Sequence, residues 1–363
     1  MTNLKRPHAP LYPLGVTQTS EALNISFRSP KNDCGILIYD SPTRSACKRI
    51  PFSPDQRVGD VHFMSLPTVD LTHFCYQFYE EETIIADPYA KAFANRARFG
   101  VPQNPASLRA KLPAQDFDWE EDRPPHISYE NSICYQLHVR GFTKHKSSGV
   151  KAGGTFEGLL EKLPYLQDLG ITTLELQPVY EFLEYRPATE DPAFPPNLPR
   201  LNYWGYENAF FFAPKAAYSH TSDPCAAFKN MIKMLHQTGM EVVMQFYFPN
   251  EVRLGDIPFI LHHWVMEYHV DGFRLINPRL SLEWLLDDPI LADTKLWLDG
   301  IDTTSCEAKL KQETTRRLAL YQEDYFRTIR CFLKGDASYA PAAAYHLKEN
   351  APYHGCIHYL TGY

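Results

Sequence analysis

From about residue 132 onward, short apolar runs alternate with helical stretches, and this rhythm limits the fold more than any other feature of the sequence. Ile133–Val139 reads as a strand. Residues 156–169 place Leu159, Leu160, Leu163, Leu166 and Leu169 at helical spacing and stop at Gly170. Leu174–Leu176 is a second strand, Glu241–Tyr247 a third, Asp271–Leu275 a fourth, Lys295–Leu298 a fifth, Leu318–Tyr321 a sixth and Cys356–Leu360 a seventh. Helices are expected over Ala226–Thr238, Ile257–Tyr268 and Tyr325–Lys334. Strands joined by helices of this length run parallel, because each crossover returns the chain to the same end of the sheet. A closed barrel of this kind has eight strands. The expected class is therefore α/β, a (β/α)8 TIM-type barrel truncated after strand seven, with the sequence stopping at Tyr363 and strands one and seven short of a partner.

The first hundred residues follow a different period. Leu23–Phe27 alternates apolar and polar residues, Gly35–Tyr39 is a compact apolar run, and His73–Tyr79 is a third strand, with Pro, Asn, Asp and Ser between them. That pattern predicts an antiparallel β-sandwich over residues 1–100. A Pro-rich connector follows over 101–128, the barrel occupies 129–363, and a long Pro- and aromatic-rich loop is expected over 181–215.

Composition excludes several functions. The formal net charge is -7, so no basic surplus points to nucleic acid or an anionic membrane. The N-terminus lacks the apolar core of a signal peptide, and no apolar run approaches the roughly 20 residues that span a bilayer. The eight cysteines are scattered without a C-x-x-C pair, which indicates neither zinc nor a redox motif and fits reduced thiols in a cytoplasm. Oxygen-ligand clusters for calcium, Gly-rich phosphate loops, H-E-x-x-H and G-x-S-x-G are all missing, so no cofactor or metal is expected.

Several stretches, in collinear order, carry a resemblance. They are Phe117-Asp-Trp-Glu120 with Arg123-Pro124, Tyr135-Gln-Leu-His-Val-Arg-Gly-Phe-Thr143, Leu174-Glu-Leu-Gln-Pro-Val179, Asn202-Tyr-Trp-Gly-Tyr206 with Phe212-Ala-Pro214, and Phe326-Arg327 to Phe332-Leu-Lys-Gly-Asp336. Together they resemble glycoside hydrolase family 13, in the branch of bacterial glycogen-debranching enzymes, isoamylases and type I pullulanases. Pro13-Leu-Gly15 and Asp87-Pro-Tyr-Ala-Lys91 resemble the carbohydrate-binding module that precedes the barrel in that branch. The resemblance implies a retaining α-glucan hydrolase. Such an enzyme uses a carboxylate nucleophile and a carboxylic acid about 5–5.5 Å apart, together with a third aspartate that steadies the sugar.

This sequence departs from the family at each of those positions. In the third-strand motif, Gln245 stands at the aspartate, Pro249 at the asparagine and Asn250 at the histidine. In Gly272-Phe273-Arg274-Leu275-Ile276, Ile276 replaces the nucleophile, and Arg274 needs another acceptor, with Asp299 as a candidate. Asn277 points to the opposite side and is no substitute nucleophile. Asp299 stands at the acid/base glutamate and is one methylene short. The seventh-strand His-Asp motif reaches the histidine position at Tyr363 and goes no further.

The aromatic motif is intact. The resemblance implies that Tyr206 stacks on the sugar ring, with Trp204 and Tyr203 beside it. Glu175 and Glu181 read as solvated or structural, and His138 as a satisfied barrel histidine. The expectation is an α-glucan protein, catalytically inactive, that binds oligosaccharide or polysaccharide and acts alone or with an active debranching homologue. The alternatives are a weakly active retaining glycosidase that uses Asp299, and a fragment of a longer family member.

Overall fold

The computed structural model describes residues 10–43, 47–67, 74–96, 98–114, 117–186, 200–312, 316–348 and 351–361. It contains two compact units. The first comprises residues 1–117, 180–205 and 209–228, and the second 118–179, 206–208 and 229–363.

The first unit is built on two antiparallel sheets. One pairs Gly15–Gln18, Ala22–Arg28, Val61–Pro67 and Arg57–Val58. The other is centred on Cys34–Tyr39 and Cys75–Glu80. Leu23, Ile25, Phe27 and Met64 from the first sheet meet Ile36, Tyr76 and Phe78 from the second in one buried core. The alternation seen in the sequence is thus the two-residue period of strands with one face buried.

The segment expected as a loop over 181–215 is in part a ribbon. Tyr180–Phe182 pairs antiparallel with Ala209–Pro214, and Ala213 joins the sandwich core. Residues 187–199 lie outside the described ones. Four buried charges anchor the ribbon. Arg96 and Lys215 each pair with both Glu181 and Glu184, and every one of these side chains is 0–3% exposed. Burial alone would push the Glu181 carboxyl upward, but Lys215 and Arg96 overcome it and hold the carboxyl below the usual range.

The second unit is the parallel sheet. Its strands are β1 (Cys134–Leu137), β2 (Thr173–Leu176), β3 (Glu241–Tyr247), β4 (Gly272–Ile276), β5 (Lys295–Asp299), β6 (Leu318–Tyr321) and β7 (Gly355–Ile357). They pair in chain order, every pair parallel. This is an α/β half-barrel of TIM type with seven strands among the described residues. Helices Pro224–Gln237, Ile257–Tyr268 and Glu323–Lys334 fall where the periodicity places them.

The helix expected over 156–169 is two helices, Phe156–Leu160 and Leu163–Asp168. Pro164 sits in the first turn of the second, where its missing N–H costs nothing, and the helix restarts there. Strand β1 ends earlier than expected because His138 caps the helix Val139–Thr143, its Nδ1 accepting from the Gly141 amide at 2.9 Å. Gly272 is required inside the barrel, since a Cβ there would lie 2.8 Å from the Cβ of Lys295 and 2.9 Å from its carbonyl oxygen.

Candidate functional site

Barrel chemistry is kept at the C-terminal ends of the strands. Strand alternation puts Gly272, Arg274 and Ile276 of β4 on one face, as it does Val243 and Gln245 of β3 and Trp297 and Asp299 of β5. Val243, Trp297 and Ala319 pack together in a buried cluster, which identifies that face as the barrel interior. Ile276 therefore stands on the interior face at the last position of β4, in register with Tyr247 of β3.

The interior polar groups converge on Glu175. Its Oε1 accepts from Gln245 Nε2 at 2.6 Å, Arg274 Nη1 at 3.1 Å and Gln136 Nε2 at 3.2 Å. Its Oε2 accepts from the Tyr321 hydroxyl. Arg274 then reaches outward. Nη2 lies 3.3 and 3.4 Å from the two oxygens of Asp299, and the guanidinium stacks 3.6 Å over the Tyr321 ring. Tyr206 donates its hydroxyl to Gln245 Oε1. Exposure is graded along this network, from 1% at Glu175 through 13% at Arg274 to 41% at Asp299. Burial, reinforced by the neighbouring Glu175 charge, pushes the Tyr321 hydroxyl far above its ordinary pKa, so it stays a donor.

The acceptor that Arg274 needed is thus double. Asp299 is one, as the sequence suggested, and Glu175 is the other. The reading of Glu175 and Glu181 as solvated or structural is corrected in its first half, because both are 1% exposed and paired with cations. The signal for Glu175 was its place in Thr173–Leu176, a strand buried at every residue, where a carboxylate must have partners. Tyr321 was also missed; it ends β6 directly across from Asp299 in the ladder register.

Tyr203 and Trp204 belong to the first unit. Their rings meet edge to face at 5.1 Å, Tyr203 leans on Phe99 at 5.8 Å, and Trp204 is exposed. Tyr363, at the seventh-strand histidine position, lies outside the described residues. No group of three or more His, Cys, Asp or Glu that could hold a metal is found among the described residues, and no helix among them is long and apolar enough to cross a membrane.

A cavity of about 640 Å³ opens at the opposite, N-terminal ends of the strands, lined by Tyr129, Glu241, Asp271, Lys295 and Arg317 among others. There, His236 bridges Asp122 and Asp271 at 2.9 and 3.0 Å, and Lys295 pairs with Glu241. None of the residues expected to contact sugar faces that end.

Comparison with known proteins agrees with this architecture. Residues 136–252 match the model of the α-amylase catalytic domain. Isoamylase 1 of Oryza sativa (chloroplastic) is 35% identical over 358 residues, which is 73% of this chain and 43% of the rice protein. The glycogen operon protein GlgX homologue of Haemophilus influenzae is 33% identical over 194 residues, 47% of this chain and 28% of that protein. A pullulanase from Paenibacillus barengoltzii, solved as a mutant with maltotetraose, superposes with a TM-score of 0.67 at 19% identity, covering 88% of this chain and 58% of its own. The chain spans about half the length, or less, of the curated relatives it matches.

Proposed function

We propose that this chain, which carries an α-amylase-type catalytic domain of glycoside hydrolase family 13 in its debranching branch, binds α-glucan chains without cleaving them. The observation behind this reading is the side chain at the end of β4. By the family motif Ile276 stands at the nucleophile position, and it ends β4 on the interior face with a side chain that cannot attack.

Retaining hydrolysis needs two carboxyl groups astride the anomeric carbon. Glu175 cannot supply the second, since it is buried and holds hydrogen bonds from Gln136, Gln245, Arg274 and Tyr321. Asp299 is left as a lone, half-exposed carboxylate in an ion pair with Arg274. One member of a catalytic unit without the others retains little of its rate.

Binding needs less. Tyr206, anchored on Gln245, offers a flat ring to the apolar face of a glucose unit, and Arg274 and Asp299 offer polar contacts at the mouth. The solved pullulanase that shares this fold was captured with maltotetraose, which supports a malto-oligosaccharide as the ligand class. In this role the chain holds glucan, by itself or for an active debranching homologue.

Electrophoresis through a glycogen-containing gel tests the reading. The wild type is expected to be retarded, and Tyr206→Ala to run as it does without glycogen. A folded wild type that glycogen does not slow contradicts the proposal.

A further inference from the structure

Tyr206, Gln245 and Glu175 form a line of hydrogen bonds whose sense is fixed. A carboxylate only accepts, so the NH2 end of the Gln245 amide must face Glu175, and its Oε1 is left for the Tyr206 hydroxyl. Gln245 is fully buried and Glu175 nearly so, so the bond between them lies in the barrel interior. Glu175 is itself immobilised by Arg274, Tyr321 and Gln136. The tyrosine stands at the outer end of the line.

We propose that Glu175 is a positioning residue for the Tyr206 ring and acts through the Gln245 amide. The orientation of the surface offered to sugar is then set by a carboxylate that no sugar can touch. The length of glutamine matters here: its amide spans from Tyr206 to Glu175, and its neutral NH2 end can face a carboxylate that another carboxylate would repel. The ligand in this inference rests on the α-glucan reading above, whereas the hydrogen-bonded line does not.

The test is a charge swap read in two ways. One readout is the 19F resonance of 3-fluorotyrosine placed at position 206. The other is the dissociation constant for maltoheptaose. Gln245→Glu sets two carboxylates against each other and is expected to shift or broaden the resonance and to weaken binding by about tenfold or more. Glu175→Gln alone also moves the resonance. The double variant Glu175→Gln/Gln245→Glu restores an amide facing a carboxylate, and it leaves a carboxylate on the β3 residue in register with Arg274. Its resonance and affinity are expected to return toward wild type, within about threefold in Kd.

A double variant that melts like the wild type but is no better than Gln245→Glu overturns the proposal. So does a resonance that ignores Glu175→Gln. If the swap variants do not fold, Tyr206→Phe removes only the hydroxyl and is expected to cost the same affinity as breaking the line; unchanged affinity also overturns the proposal. If the resonance follows the swap while no form binds maltoheptaose, the positioning role stands and the glucan reading fails.

Discussion

Each unit contains a cluster of charged side chains away from bulk water, and the two clusters are built differently. In the first unit, Arg96 and Lys215 face Glu181 and Glu184, two cations against two carboxylates, with all four closed off from solvent. In the second unit, one cation, Arg274, serves two carboxylates, and the cluster opens gradually from Glu175 to Asp299. The closed cluster pins the ribbon Tyr180–Phe182 and Ala209–Pro214 to the sandwich unit and offers nothing to a ligand. The open cluster ends at the mouth of the barrel strands. A balanced, sealed set of charges is a structural clamp, and a graded set with a surplus carboxylate facing water is open to a ligand.

The largest expected effect lies in the sealed cluster. Lys215→Met leaves two carboxylates buried with only Arg96 between them and is expected to destabilise by about 3–5 kcal/mol. Urea unfolding measures this, and a loss below about 1 kcal/mol would break the distinction between clamp and site.

A second test uses a buried carboxylate with no ion pair among the described residues. Asp87 accepts from the Tyr76 hydroxyl at 2.7 Å and the Tyr89 amide at 2.9 Å, and burial pushes its pKa up to about 6. Its folded value lies above its unfolded one, near 3.9. Its contribution to stability is therefore fully present below about pH 4 and is lost as pH rises through about 6, a difference of about 3 kcal/mol. Asp87→Asn is expected to flatten that part of the stability–pH profile, as measured by denaturant titrations between pH 4 and 7.

Smaller effects are expected in the open cluster. Arg274→Met still leaves Glu175 with donors from Gln245, Tyr321 and Gln136, so a loss of about 1.5–3 kcal/mol is expected in the same urea assay. Asp299→Asn removes only the solvent-facing end of the network and is expected to change stability by less than about 1 kcal/mol. A cost for Asp299→Asn equal to that for Lys215→Met would erase the contrast between the two clusters.

The same contrast marks what the sequence could and could not reveal. The parallel strands were legible because an unbroken apolar run with crossover helices has few other solutions, and motifs tied to strand ends supplied the candidate site positions. Ile276 could be read directly, since an apolar side chain at that position needs no partner to be interpreted. Glu175 and Tyr321 were not legible as a pair, because 146 residues separate them and only the sheet register brings them together. The ribbon within 181–215 was hidden for a similar reason. Its proline-rich composition reads as loop, and its pairing is fixed by burial against the sandwich and by Arg96, which lies 85 residues before Glu181.

The proposed function makes two claims of the barrel mouth, that it binds sugar through Tyr206 and that it does not cleave it. One experiment tests both halves. Maltoheptaose is titrated into the wild type by calorimetry, and the cell contents are then held for a day and analysed by mass spectrometry. The expected result is a saturable heat that Tyr206→Ala abolishes, with the heptasaccharide recovered intact. Shorter oligosaccharides that form with the wild type and disappear with Asp299→Ala would contradict the account.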